Sequence, residues 1–192
     1  MDVSVAVAAP AATIVTKPYA GVDWTTHIVL TTDDDVHFAV SRKAMSLSKV
    51  ISDMLADVPD SEEVDIPLRQ TAETMRYVIE YVEYHKDVTP DQIPSPLPTP
   101  LSSLISEWSK RFLYTDLVRG GDDREHRILL NVLSASHFLH IEPLLDLTCA
   151  CVGSMIQGKS PRQIRELLHI PNDFTEEQEL QNEKELKALS EL

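Results

Sequence analysis

The sequence predicts an α+β protein whose strands lie in its first half and whose second half is helical. Two observations support this prediction. Apolar residues run together or alternate in short segments at 27–31, 36–40 and 64–68, which is typical of strands. They recur every three or four residues over 42–57 and 71–86, and again beyond residue 127, which is typical of helices with one buried face.

The first 24 residues carry no periodic pattern of apolar residues and are expected to form a flexible extension. Residues 1–14 are rich in Ala and Val, as a secretion signal would be. However, Asp2 stands where such a signal needs a basic residue, and the first positive charge is Lys17. Pro10 also interrupts the apolar run, so we interpret this segment as an extension rather than a signal peptide.

The first ordered element is expected to be a β-hairpin that begins near Thr26. Residues 27–31 are apolar and β-branched, 33–35 are three aspartates suited to a turn, and apolar residues alternate with others over 36–40. A helix over 42–57, a strand over 64–68 and a helix over 71–86 are expected to follow.

A proline-rich connector is predicted over about residues 89–104. Five of the twelve prolines lie between Pro90 and Pro100, interleaved with Ser and Thr. Because proline has a fixed φ and no N–H donor, we expect an extended surface loop outside helices and sheets. A ligand for a proline-recognising domain is the alternative. The fold is expected to restart at Trp108, Phe112 and Leu113.

A second, Gly-Asp-rich loop insert is predicted at about residues 118–126, and helices are predicted from there to the end of the sequence. Helical spacing of apolar residues covers 128–139 and 143–156, and Gly158 is suited to end the second helix as its C′ residue. Two capping-box patterns begin further helices, namely Ser160 with Gln163 and Thr175 with Gln178.

The net charge of the sequence is −14. Such a chain is repelled by phosphate backbones and anionic lipids, so we expect neither nucleic acid nor a membrane surface as a partner. No apolar run approaches the roughly 18 residues that a membrane span needs. Cys149 and Cys151 stand too close together for an unstrained disulfide, which excludes a disulfide scaffold.

No motif of a catalytic site occurs in the sequence. The five glycines are scattered, and neither a Gly-x-Ser-x-Gly elbow nor a His-Glu-x-x-His pattern is present. His137 and His140 can share a helix face, but Cys149 and Cys151 would point about 200° apart on a helix and cannot bind one ion together. We therefore expect no enzyme activity, no cofactor, no metal and no small-molecule substrate.

Two C-terminal segments carry a specific resemblance. They are residues 144–165, which include LLDLTC and MIQGKSP, and residues 172–177, which read NDFTEE. They resemble the S-phase kinase-associated adaptor family, whose members link F-box proteins to cullins in ubiquitin ligases. The similarity covers roughly residues 26–180 and includes residues 38–55, YHKD at 84–87, and Trp108 with Phe112 and Leu113.

The resemblance implies a BTB/POZ domain over residues 25–158, with a small and mostly antiparallel sheet packed with helices. It also implies two F-box-binding helices within residues 159–192. The expected partners are F-box proteins and a cullin, and the expected role is that of a non-catalytic adaptor in the cytoplasm, the nucleus or both.

The resemblance also implies which residues bind each partner. Carried over by position, the F-box contacts are Leu145, Cys149, Val152, Ile156, Leu168 and Phe174. The first four are spaced i, i+4, i+7 and i+11, which places them on one stripe of a helix. Spacing alone favours an ordinary core stripe, whereas the resemblance favours a helix-in-groove interface. The implied cullin contacts are His137 and Phe138.

The chain departs from the family pattern at several positions. His137 and Phe138 replace an Asn-Tyr pair, which keeps the aromatic ring but removes an amide and a hydroxyl. Ala188 stands in place of a tryptophan that contacts the F-box, and Glu176 in place of a proline that is modified in some relatives. Three alternatives therefore stay open: a scaffold that binds F-box proteins without a cullin, an elongin C-like adaptor, and an enzyme with an unrecognised site.

Overall fold

The computed structural model describes residues 13–118, 123–175, 177, 178, 180–182, 184 and 185. The chain divides into two units, one that ends at Gln157 and one that begins at Gly158. The first unit contains a sheet and six α-helices in its described part.

The sheet has four strands in the order β1-β3-β2-β4. They are β1 (Thr13–Val15), β2 (His27–Thr31), β3 (His37–Ser41) and β4 (Asp65–Pro67). Strands β2 and β3 form the predicted antiparallel hairpin, in which Leu30 pairs with Phe38. Strand β1 is antiparallel to β3, and β4 is parallel to β2. The α+β fold class and the mostly antiparallel sheet are therefore confirmed.

The interpretation of residues 13–24 as a flexible extension is wrong. Ile14 of β1 pairs with Phe38, and the Tyr19 hydroxyl donates a hydrogen bond to Asp65 at 2.5 Å. The Tyr19 ring also packs edge-on against His37 at 5.4 Å between centroids. A three-residue strand is too short to show a period, and its partners are distant in sequence. Residues 1–12 lie outside the described part of the chain.

The helix predicted over residues 42–57 is two helices, α1 (Arg42–Met45) and α2 (Lys49–Leu55). Each begins at a serine N-cap, since Ser41 accepts a hydrogen bond from Ala44 N–H and Ser48 accepts one from Ile51 N–H. A serine hydroxyl stabilises a helix start by accepting a hydrogen bond from a free N–H. Ser48 therefore starts a new helix, although the apolar spacing continues across residues 42–57. The next predicted helix is α3 (Ala72–His85), capped by Thr71.

From Val88 to Pro100 the proline-rich connector forms no helix or strand and contains only bends. A short 3₁₀ turn (Leu101–Ser103), helix α4 (Glu107–Arg111) and a π-helical turn (Phe112–Leu117) follow it. The Asp91 carboxylate accepts hydrogen bonds from the Ser106 N–H at 3.1 Å and from the Ser109 hydroxyl at 2.5 Å. The two ends of the connector are therefore tied together.

Helices α5 (Asp123–Phe138) and α6 (Glu142–Ile156) complete the first unit. The loop insert predicted at about 118–126 is shorter than expected, because α5 already begins at Asp123. Residues 119–122 lie outside the described part of the chain.

The second unit begins at Gly158, which has a φ of +72° and follows the end of α6 as its C′ residue. Helix α7 (Pro161–Leu168) starts with the predicted capping box, in which Ser160 and Gln163 exchange both hydrogen bonds. Thr175 and Gln178 also exchange both hydrogen bonds. The described residues from Glu177 to Glu185 are helical, so both capping boxes are confirmed.

A cluster of aromatic rings joins α3 to the segment after the connector. The Trp108 ring stacks on Tyr84 at 4.1 Å and on Phe112 at 5.0 Å, and it meets His85 edge-on at 5.2 Å. His85 is buried, and its Nδ1 lies 3.0 Å from the Val88 carbonyl, to which it donates. Its Nε2 has no hydrogen-bond partner within the described residues. Burial lowers the pKa of His85, and the bond to Val88 only partly opposes this effect.

Because the folded state resists protonating His85, acid is expected to destabilise the chain. Above about pH 6.5, the ordinary pKa of histidine, His85 is neutral in both the folded and the unfolded chain and does not lower the free energy of unfolding. At lower pH the free energy of unfolding decreases, because the unfolded chain takes up a proton that the folded chain does not. The His85→Phe variant should lose less stability between pH 7.5 and pH 5.5, measured as urea midpoints. A slope unchanged in His85→Phe would contradict this expectation.

Candidate partner-binding surfaces

Helix α6 has one buried side and one accessible side. Leu144, Leu147, Thr148 and Cys151 are buried in the core of the first unit. The predicted stripe lies on the other side, where Leu145, Val152 and Ile156 are half-buried and Cys149 is exposed. The structure therefore brings these four residues together on the partly accessible side of the helix, where Val152 also packs against the core.

The sequence of α6 is apolar on both of these sides. Glu142 and Asp146 are its only charged residues. A helix that is apolar all round is normally buried all round, yet one side of α6 is accessible. This mismatch marks the stripe as a surface suited to receive an apolar partner.

The two cysteines of α6 are not activated nucleophiles. Burial raises the pKa of the Cys149 thiol, and the nearby Asp146 carboxylate raises it further. Burial raises the pKa of Cys151 to about 11. Because the thiolate is the reactive form, both side chains act at neutral pH as small apolar groups.

The second unit carries the other two predicted F-box contacts. Leu168 is half-buried at the end of α7, beside the half-buried Leu167. Phe174 is exposed over 43% of its surface, and the Arg165 guanidinium lies 5.1 Å from the centre of its ring. An aromatic ring and a guanidinium in this arrangement attract each other and offer a partner both apolar area and charge.

The two predicted cullin contacts lie at the end of α5, where the chain turns into α6. His137 is exposed, and Phe138 is exposed over 53% of its surface. His140 has a φ of +54° in this turn, and the Ile141 N–H bonds the Ser136 carbonyl at 2.9 Å. The large exposed ring is therefore presented from a hydrogen-bonded corner, which we call the α5–α6 corner (137–141).

Ser48, which no pattern in the sequence connects with a binding surface, holds the α5–α6 corner in place. It is fully buried. Its hydroxyl caps α2 and donates a hydrogen bond to the Leu139 carbonyl at 2.5 Å. Next to it, the Lys49 N–H bonds the His140 carbonyl at 3.2 Å. The preference of serine for N-cap positions could have indicated the start of α2. The bond to Leu139 could not be predicted, because it joins residues 91 apart in sequence.

The Ser48→Ala variant is expected to lose about 2 kcal/mol of stability, because it removes an N-cap and leaves a buried carbonyl unpaired. The matched control is Ser41→Ala, which removes only the cap of the four-residue helix α1 and should cost at most about 1 kcal/mol. Urea unfolding of both variants measures the difference. Equal losses would show that the bond to Leu139 adds nothing.

The described residues contain neither a metal-binding cluster of His, Cys, Asp and Glu nor a helix long and apolar enough to cross a membrane. Ala188 lies outside the described residues, and so does Glu176. The geometry in the described part is that of apolar and aromatic contact surfaces.

Comparison with known proteins identifies two family domains in the sequence. Residues 26–87 match the model of the Skp1 family tetramerisation domain, which is of the POZ type. Residues 142–189 match the Skp1 family dimerisation domain. These matches confirm the resemblance and the POZ-type fold inferred from the sequence.

Full-length relatives are similar over most of the chain. The chain is 36% identical over 163 residues to "E3 ubiquitin ligase complex SCF subunit sconC" of Arthroderma benhamiae, covering 84% of this chain and 93% of that protein. It is 36% identical over 161 residues to "Suppressor of kinetochore protein 1" of Schizosaccharomyces pombe, with 82% and 94% covered. It is 39% identical over 161 residues to the sconC protein of Aspergillus fumigatus, with 83% and 96% covered.

Proposed function

The chain belongs to the Skp1 family, and we propose that it acts as the adaptor of an SCF-type ubiquitin ligase, joining an F-box protein to a cullin. Relatives that match it over nearly their whole length are named as SCF subunits. The observation that carries the proposal is the accessible apolar stripe of α6, because a self-contained globular domain would bury it.

On the F-box side, the stripe of Leu145, Cys149, Val152 and Ile156 provides small and medium-sized apolar groups at helical spacing. Such a stripe packs against an apolar helix of a partner. In the second unit, Leu168 and the exposed Phe174 are proposed as further contacts. The strongest anchors of protein interfaces are often aromatic, so Phe174 is the candidate that offsets the loss of the family tryptophan at Ala188.

On the cullin side, the α5–α6 corner presents Phe138 as an exposed anchor with His137 beside it. The corner is supported from inside by Ser48 and Lys49. Because these bonds hold the corner rigid before binding, less conformational entropy is lost when a partner binds. Phe138 lacks a hydroxyl and His137 lacks an amide. The α5–α6 corner therefore fits best a cullin surface that offers an apolar pocket.

The adaptor works by contact and not by catalysis, and it needs no cofactor, metal or small-molecule substrate. We place it in the cytoplasm, the nucleus or both, where ubiquitin ligases of this class act. Its net charge of −14 repels phosphate backbones and anionic lipids, so we propose neither nucleic acid nor an anionic membrane as a partner.

Two alternatives remain within the adaptor class. An elongin C-like adaptor would end near Gly158, whereas this chain continues into α7 and the capped segment after Thr175. A scaffold that binds F-box proteins without a cullin is favoured by one observation, the replacement of the family Asn-Tyr pair by His137 and Phe138.

Affinity purification of the chain from its own cells, followed by mass spectrometry of the recovered proteins, separates these functions. The ligase adaptor should recover F-box proteins together with a cullin. F-box proteins without a cullin would leave only the scaffold function. Recovery of neither class would overturn the proposed function.

A further inference from the structure

Three Ser/Thr-Pro dipeptides lie in the proline-rich connector and take no part in the surfaces described above. They are Thr89-Pro90, Ser95-Pro96 and Thr99-Pro100. All three hydroxyl-bearing residues are exposed, in backbone that forms neither a helix nor a strand. We propose that the connector is a phosphorylation site for a proline-directed protein kinase, with Thr89, Ser95 and Thr99 as the acceptors.

The connector is held along one side, which leaves its other side accessible. Asp91 ties its start to Ser106 and Ser109, while Leu101 is buried and Leu97 is half-buried against the core. A surface loop whose ends are tied and whose apolar side chains pack inward is an Ω-loop, a type that is often functional. The prolines and hydroxyl groups form the outward side of this loop.

The prolines also keep the acceptor residues out of helices. A residue that precedes proline is disfavoured in the helical conformation, and the three acceptors lie outside helices, with bends at Ser95 and Thr99. A protein kinase binds its substrate segment in an extended conformation, and proline-directed kinases select proline directly after the acceptor. The Thr99 hydroxyl accepts a hydrogen bond from the exposed Ser103 hydroxyl at 2.9 Å. This bond joins two surface side chains, so it can break when a kinase binds Thr99 without disturbing the core.

The chain contains a fourth dipeptide, Ser160-Pro161, that has the same sequence pattern but a different structure. Ser160 is the N-cap of α7, and its hydroxyl accepts a hydrogen bond from the Gln163 N–H at 3.3 Å. The residues after it are helical. A kinase could bind this segment only after the first turn of α7 had unwound and both bonds of the capping box had broken. Ser160 therefore serves as an internal control for the effect of structure.

The reaction is an ordinary phosphoryl transfer from ATP. The acceptor oxygen of the Ser or Thr side chain forms a bond to the γ-phosphorus, and the bond from that phosphorus to the β,γ-bridging oxygen breaks to release ADP. The hydroxyl proton passes to a carboxylate of the kinase. Each transfer adds a charge of about −1.5 to −2 at neutral pH, on the outward side of a loop where no core contact is broken.

The test is phosphorylation of the full chain by a mitogen-activated protein kinase with ATP, quantified site by site by mass spectrometry. We expect the three connector acceptors together to carry at least about ten times more phosphate than Ser160. In a variant with Pro90, Pro96 and Pro100 all replaced by Ala, connector phosphate should fall at least about tenfold. The control variant replaces Pro94 and Pro98, which follow Ile93 and Leu97, and should keep the full level.

Any other pattern overturns the proposal. Phosphate that is absent from the connector, equal at Ser160, or retained after the triple replacement would each do so. Thermal unfolding of both variants checks that they are folded, as expected for changes at exposed or half-buried residues of a loop. The proposal does not depend on the adaptor function, so it can fail without affecting that function.

Discussion

Replacing Val152 with aspartate is expected to abolish the binding of F-box proteins while leaving the chain folded. Val152 lies in the middle of the α6 stripe and is half-buried. A partner helix packed there would bury the new carboxylate without a counter-ion, which costs several kcal/mol. A loss of about 3 kcal/mol corresponds to a fall in affinity of more than about 100-fold. Isothermal titration calorimetry with a purified F-box domain measures this loss of affinity.

Two variants on the same helix make this result specific. Ser154→Asp introduces the same charge at an exposed position off the stripe, and it should bind the F-box domain normally. Leu147→Asp introduces it on the buried side and should unfold the chain. If Val152→Asp also unfolded the chain, the stripe would be part of the core and the proposed F-box surface would be wrong.

The second large effect is expected at the α5–α6 corner, where Phe138→Ala should weaken cullin binding by about 2 kcal/mol, or roughly 30-fold. Exposed aromatic anchors bury a large apolar area on binding and often dominate interfaces. Phe138→Tyr, which restores the family hydroxyl, should also weaken binding, by about 1 kcal/mol, because the hydroxyl would be buried in an apolar pocket without a hydrogen-bond partner. Titration with the N-terminal region of a cullin tests both changes.

The control for Phe138→Ala is Ile14→Ala on strand β1. Ile14 is exposed over 50% of its surface, close to the 53% of Phe138, but it precedes the residues that match the family model. Its replacement should leave cullin affinity unchanged. Equal affinity of the Phe138→Ala and unaltered chains would remove the corner from the cullin surface.

The features that could be predicted from the sequence are those that short-range patterns determine. A capping box needs only residues three apart, so Ser160 with Gln163 could be identified from the sequence alone. The hairpin of β2 and β3 follows from alternation and from a polar turn. Gly158 follows from the preference of glycine for positive φ at a helix end.

The features that could not be predicted depend on contacts between distant residues. Strand β1 exists through its pairing with β3, and the break between α1 and α2 is held by the bond from Ser48 to Leu139. The α6 stripe shows the same limit in another form. Its spacing established that four residues share a face, but only the packing of Leu144, Leu147 and Cys151 shows that the core lies mainly on a different side of the helix.

The most direct test of the adaptor function is size-exclusion chromatography of an F-box protein and a cullin N-terminal region, with and without this chain. The function predicts that the two partners elute separately when mixed alone and as one complex when the chain is added. The chain with Val152→Asp should keep the cullin and release the F-box protein. If the F-box protein and the chain elute together while the cullin elutes alone, the chain is not the link between them.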